Sequence, residues 1–297
     1  MRRSAQIVEQ AASKWLRTAA ALVAALAAGG CDLRTSAVLD PKGPIALAER
    51  NLLYDAFIVM MIVVIPVIVM ALVFAWRYRA SNTQARYTPN WSYSGRIDAV
   101  VWLIPALIVI ALGVLLWRST HRLDPYKPID AAVPALEIQV VGQDWKWLFI
   151  YPGQGIAVVN QMAFPSGRPV SLRITADTVM NSFYIPALAG QIYAMAGMQT
   201  RLHLLADAPG TFVGRNTQYS GGGFSDQHFQ AIAMTQPDFD AWVAKTRQSA
   251  DKLDAATYAK LAERSRRHPI TYYSVVEPSL FDKIIAKYVH DHQAMGK

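Results

Sequence analysis

Few side chains in this chain can do chemistry, and their spacing limits what that chemistry can be. Cys31 is the only cysteine, so no disulfide can form within the chain and no pair of thiolates can bridge metal ions. The histidines do not compensate. His203 falls in an apolar strand pattern, where a hydrogen-bonded imidazole is expected. His228 has no second ligand set at suitable spacing, and His290 and His292 form a His-x-His suited only to weak, adventitious metal. Met180, Met195 and Met198 offer soft thioethers, but methionine in an apolar loop more often serves as packing. Asp98 closes a loop carrying Arg77, Arg79, Arg86 and Arg96 and opens an apolar run. An acid there can be a helix N-cap or a first-turn acid. It is also an ionisable group reachable from water at the edge of a membrane.

The elements that must position these groups begin with two uncharged apolar runs, residues 56–76 and 99–117, each ending in tryptophan followed by arginine. Both approach the roughly 20 residues that a membrane helix needs, with aromatic and basic anchors where the interface should be. Pro66 lies inside the first run; Pro105 and Gly113 lie inside the second. The basic connection, residues 77–98, is expected on the cytoplasmic side, which places residues 31–55 and everything from His121 onward outside. From His121 onward there are 17 Lys and Arg against 15 Asp and Glu. The overall net charge of +8 therefore arises mostly from the N-terminal region and the basic loop. Topology explains that excess, and no polybasic aromatic tract or phosphate-cradling glycine loop points to nucleic acid.

Cys31 follows an apolar stretch, residues 19–30, that is preceded by Lys14 and Arg17. This order describes a bacterial lipoprotein export signal over residues 1–30, with palmitate-type lipidation of Cys31 after cleavage. Ala28 departs from the large aliphatic residue usual three places before the cysteine. The alternative is an uncleaved anchor with an incidental cysteine, but the stretch is short of the roughly 20 residues that span hydrocarbon. Asp32 resembles a signal for retention in the inner membrane of Gram-negative bacteria.

The external part, residues 121–297, reads as strands followed by helices. Residues 136–141, 145–151, 170–175, 200–205 and 228–234 are strand-like and separated by Gly, Pro and Asp, which predicts a sandwich or barrel over 121–236. Residues 237–297 read as a helical extension. One helix opens near Pro237, a short surface helix lies within 250–267, and a last one opens near Ser279 as N-cap.

Two membrane helices, then a β-domain opening on Gly142-Gln143-Asp144-Trp145-Lys146-Trp147, resemble subunit II of the haem–copper respiratory oxidases. The resemblance covers nearly all of the chain beyond residue 30 and implies a cupredoxin-like domain. In members that oxidise cytochrome c, that domain holds a dinuclear copper centre. Its ligands are a His on one loop and a Cys-x-Glu-x-Cys-x-x-x-His-x-x-Met run on another. Laid onto this chain, Asn181 stands for the first His, Asn216 and Ser220 for the cysteines, Gln218 for the Glu, Phe224 for the second His and Gln227 for the Met. All six positions lack the copper-binding side chain.

That pattern, together with residues 191–204 (Gln-Ile-Tyr-Ala-Met-Ala-Gly-Met-Gln-Thr-Arg-Leu-His-Leu), resembles the ubiquinol-oxidising, cytochrome bo-type branch of the family. The resemblance implies a structural and assembly subunit with no cofactor of its own, in a proton-pumping complex that reduces dioxygen to water. Haems and copper would reside in subunit I, the main partner beside other small membrane subunits. Ubiquinol would be the substrate and membrane lipids the surroundings, in the bacterial inner membrane. In that family an acidic residue at the position of Asp98, usually Glu, lies at the mouth of a proton channel of subunit I. Trp145 matches a tryptophan on the electron-entry path of the copper-bearing relatives, and without copper its expected role is structural. The rival readings are a cytochrome c oxidase-type subunit II and a free-standing membrane lipoprotein with a cupredoxin-like binding domain.

Overall fold

The computed structural model describes residues 36–86 and 88–295, with side chains as far as Tyr288. Cys31, the export signal expected over residues 1–30 and the side chains of His290 and His292 lie outside the described residues. The chain forms two compact units, residues 1–40 and 41–297. Of the first, a short turn is described, in which the Leu39 amide donates to the Ser36 carbonyl at 2.9 Å.

The second unit opens with a helical hairpin. Helix α1 spans Pro44–Arg77, with Pro44 at a position where its missing N–H costs nothing, and α2 spans Gly95–Arg122. At 34 and 28 residues, they run about 50 and 40 Å, longer than a hydrocarbon core of about 30 Å. Both exceed the apolar runs 56–76 and 99–117 because polar turns extend them at each end. Their apolar stretches bury nothing within the chain, so the leucines, valines and isoleucines face outward. At the end of α1, Arg79 lies 5.0 Å from the Trp76 ring and donates to the Trp76 carbonyl at 2.8 Å. At the end of α2, His121 packs on Trp117 at 4.4 Å.

Two sheets follow. The first has the order β11-β3-β2-β1-β5-β8, formed by Thr271–Tyr273, Ile156–Val159, Lys146–Tyr151, Leu136–Gln143, Val170–Ala176 and Thr200–Leu204. The second has the order β4-β10-β9-β6-β7, formed by Gln161–Pro165, His228–Met234, Gly210–Asn216, Asn181–Ile185 and Ala189–Ala194. Pairing is antiparallel except β1 with β5 and β4 with β10. The expected sandwich is therefore present, with an aromatic centre. Phe183 and Phe229 stack at 5.0 Å, and Trp147 meets Phe183 edge-on at 5.4 Å. Such pairs add about 0.5–1.5 kcal/mol each beyond the area they bury.

The sequence-based strands match β1, β2, β5, β8 and β10 but miss the other six. One reason is the C-terminal region, which consists of α3 (Gln236–Thr246), α4 (Ala255–Ala262), β11 and α5 (Leu280–Met295). It is not wholly helical as expected: β11 pairs with β3 and extends the first sheet. Leu253, Leu261, Phe281 and Ile284 cover the outer face of that sheet against Val141, Leu148 and Ile150. Strand β2 is buried on both faces, so its sequence lacks alternation. Helix α3 opens near Pro237 as expected, and Thr235 caps it by accepting from the Asp238 amide. Ser279 precedes α5 with φ of 61°, and it is the Ser279 carbonyl that accepts from the Lys283 amide at 3.0 Å.

Candidate functional site

Strands β6 and β9 are antiparallel neighbours with Phe183 opposite Asn216. That register sets Asn181, at the start of β6, beside Asn216, at the end of β9. The chain then loops through residues 217–227, including a single 3-10 turn at Phe224–Asp226, and returns as β10. The Asn216 amide donates to the Gln227 carbonyl at 3.1 Å, which closes the loop. Four of the six positions assigned by resemblance to copper ligands thus converge: Asn181, Asn216, Ser220 and Gln227.

Their side chains satisfy one another. The Asn216 amide nitrogen donates to Asn181 Oδ1 at 2.9 Å and Gln227 Oε1 at 2.8 Å, with Ser220 Oγ at 3.1 Å sharing those hydrogens. Gln227 Nε2 donates to Asn181 Oδ1 at 2.9 Å and to the Gln143 carbonyl at 3.2 Å. Ser220 Oγ donates to Gln227 Oε1 at 3.0 Å. Outward, Asn181 Nδ2 donates to the Val179 carbonyl, while Asn216 Oδ1 accepts from the Ser182 and Gln218 amides. Asn181, Asn216 and Gln227 are buried. In such a setting an unmet amide would cost about 1–3 kcal/mol, so closure of the network is a condition of the fold.

The other two positions lie apart from the network. Gln218 contributes its backbone amide, and Phe224 packs on the exposed Tyr219 at 5.8 Å. Amide and hydroxyl oxygens are poor donors for soft copper, and the network holds neither thiolate nor imidazole nor carboxylate. The residues present do not fit a dinuclear copper group. Among the described residues, no cluster of three His, Cys, Asp or Glu could hold a metal ion.

Trp145 covers the network. Its φ is 67° and its indole nitrogen donates to the Ser220 carbonyl at 3.1 Å. The ring lies against Gly223, where a Cβ would fall 2.3 Å from it. Arg266 stands over the ring, 5.5 Å from its centre. The neighbouring charges tie this edge to the C-terminal region: Arg264 pairs with Asp144 at 2.8 Å, and Lys146 Nζ donates to the Glu263 carbonyl and Ser265 Oγ, both at 2.7 Å. Burial holds the Lys146 ammonium down, at about 8, against the partial support of Asp144 and Glu263. Sequence reading missed Lys146, Arg264, Arg266 and the need for Gly223. A lysine inside an otherwise apolar strand was the available signal.

The remaining candidates do not join this site. His203 sits on β8, and burial followed by the Arg201 charge lowers its pKa. Its Nδ1 lacks a hydrogen-bond partner among the described residues, contrary to the expected hydrogen-bonded imidazole. Met195 and Met198 supply backbone carbonyls to Thr175 Oγ1, while the Met180 and Met198 side chains are exposed. His228 lines an open groove with Arg267 and His268. Asp98 is half-buried in the first turn of α2, where Ser94 is the N-cap, so Asp98 is a first-turn acid and not a cap.

Two family models match the chain: "Cytochrome C oxidase subunit II, periplasmic domain" over residues 154–232 and "COX Aromatic Rich Motif" over residues 247–292. The chain is 53% identical over 286 residues to a "Cytochrome bo(3) ubiquinol oxidase subunit 2" of Pseudomonas aeruginosa, covering 96% of this chain and 84% of that one. It is 49% identical to the "Ubiquinol oxidase subunit 2" of Acetobacter aceti over 90% of this chain and 86% of the relative. Identity to a "Quinol oxidase subunit 2" of Bacillus cereus is 34%, over 79% and 81%. Among solved structures, the periplasmic domain of cytochrome oxidase subunit II from Bradyrhizobium japonicum aligns with a TM-score of 0.37 and 21% identity, covering 39% of this chain and 96% of that one.

Proposed function

The chain belongs to the ubiquinol oxidase subunit 2 family, and from that premise we propose that it serves its complex without copper of its own. The observation that carries this reading is the closed network of Asn181, Asn216, Ser220 and Gln227. A metal relay is needed where the electron donor is a soluble protein outside the membrane. Ubiquinol dissolves in the bilayer and can deliver electrons directly to a haem-bearing partner, so an outer domain in such a complex is free to replace ligands with hydrogen bonds. Haems and copper then reside in subunit I, and this chain covers its outer face and supports its assembly.

The hairpin anchors the subunit in the inner membrane, with the arginine loop cytoplasmic and the β-domain outside, and Cys31 is the lipidated N-terminus. Asp98, on the cytoplasmic end of α2, contributes an ionisable group at a proton entrance of the partner. A first-turn acid at this place can serve that role or a purely local one, and substitution separates the two. Substituting Asp98→Asn is expected to slow turnover while leaving assembly intact; unchanged turnover would reduce Asp98 to a first-turn acid.

The test of the whole reading is oxygen uptake by the complex purified in mild detergent. Uptake is expected with ubiquinol and not with reduced cytochrome c. Uptake driven by cytochrome c, or a chain that purifies without haem absorbance, would overturn it.

A further inference from the structure

Between the outer ends of α1 and α2 runs an open groove of about 1010 Å³. The stripe of α2 that lines it changes character along its length: Val114 and Leu115 come first, then Arg118 and, one turn further out, Arg122. Lys127 adds a third cation just past the helix, and His121, held on Trp117, adds an imidazole. The α1 wall contributes Leu47 and Leu52 and a single acid, Asp55. Among the described residues, Arg118, Arg122 and Lys127 make no ion pair with each other's neighbours or with Asp55. Three exposed cations, with Asp55 the one carboxylate lining the groove, lie at the level of an interfacial tryptophan, where they can receive an anion.

From this gradient we propose that the groove is a binding site for an anionic phospholipid of the outer leaflet. The phosphodiester lies between Arg118, Arg122 and Lys127, where arginine can engage phosphate oxygens in a bidentate way. The acyl chains follow Val114, Leu115 and Leu52 toward the membrane interior. The positive-inside bias makes a cation cluster at the outer end of a hairpin costly unless something compensates it, and a bound anionic headgroup does so. This inference requires the membrane hairpin but not the oxidase reading.

The test uses the complex as purified, exchanged against detergent micelles carrying isotope-labelled phosphatidylglycerol and phosphatidylcholine at equal mole fraction, then re-isolated and extracted for mass spectrometry. Wild type is expected to retain phosphatidylglycerol over phosphatidylcholine. The R118Q/R122Q variant should lose about ten-fold or more of that retention, since each cation near a lipid surface contributes on the order of 1 kcal/mol. R118K/R122K should keep most of it, and inorganic phosphate should not displace the lipid. Equal retention of both lipids by wild type would mean that the groove holds only bulk lipid or a helix of a partner, and would overturn the proposal. So would undiminished retention by R118Q/R122Q or displacement by phosphate. Should that variant fail to assemble, the salt dependence of retention by wild type decides: retention falls with ionic strength if the site is ionic, and a flat response overturns it.

Discussion

Two buried polar clusters stand side by side at the end of β1 and are built on opposite logic. The Gly142 carbonyl accepts from the Asp177 amide at 2.8 Å, and the next carbonyl, that of Gln143, accepts from Gln227 Nε2 at 3.2 Å. On the Gln143 side lies the neutral network of amides and one hydroxyl. On the Gly142 side the Asp177 carboxylate, buried, receives Tyr258 Oη at 2.6 Å, Lys287 Nζ at 2.9 Å and Tyr288 Oη at 3.0 Å. The ionic cluster joins distant parts of the chain, fastening α4 and α5 to the β-domain. The neutral one joins β1, β6 and the loop between β9 and β10 through hydrogen bonds among its own amides and hydroxyl. Charge is used here for attachment, and neutrality for closure.

The difference can be broken most forcefully at Asp177. Asp177→Ala leaves two phenols without their acceptor and frees Lys287, whose 58% exposed side chain recovers water. That discount places the cost at about 3 kcal/mol rather than the higher values seen for fully buried pairs. Limited proteolysis of the complex should then cut within residues 247–292 at protease levels that spare the wild type. Unchanged protection would show that the apolar cover of Phe281 and Ile284 suffices alone.

Asn216→Ala should cost less, about 2 kcal/mol, because it strands the Ser182 and Gln218 amides while the rest of the network can partly regroup. A fall in apparent Tm of roughly 4–8 °C for the β-domain within the complex is the expected reading. The fall should be the same at pH 6 and pH 8, since no member of the network titrates there. A pH-dependent loss would mean that the two clusters are coupled through β1.

Lys146 gives the smallest effect and the clearest sign. Its pKa in the folded chain is about 8, below the ordinary 10.5, so between those values the unfolded chain binds more protons. Stability therefore rises with pH above 8. Above about pH 10 the trend reverses, because burial raises the pKa values of Tyr151 and Tyr258 and the folded state then holds the extra protons. An increase in apparent Tm on the order of 2 °C between pH 8 and 9.5 is expected in wild type. Lys146→Met should flatten it, and a rise that survives the substitution would assign it to another group.

Much of the outer domain was legible because its composition is strongly apolar and its motif offsets are fixed. The positions of Asn181, Asn216, Ser220 and Gln227 followed from the resemblance to the family's ligand motif, and β6 and β9 bring them together. Gln218 and Phe224 followed from the same resemblance but lie outside the network, Gln218 contributing its backbone amide and Phe224 packing on Tyr219. Strand β6 was hidden because its buried residues include Asn181 and Ser182, which strand patterns do not favour. Strand β2 lacked alternation because the C-terminal helices cover its second face, a contact between residues more than a hundred apart that local pattern does not carry. The left-handed Trp145 and the glycine beneath it were equally silent, for their reason is a ring that arrives from another loop.

The central claim is that hydrogen bonds occupy what would be a copper centre in relatives of different chemistry. The direct measurement is copper per haem in the purified complex before and after incubation with copper under reducing conditions and removal of loosely bound metal. The ratio should stay unchanged, in wild type and in Asn216→Ala alike. Additional tightly held copper in wild type that disappears on substituting Asn181 or Asn216 would contradict the account.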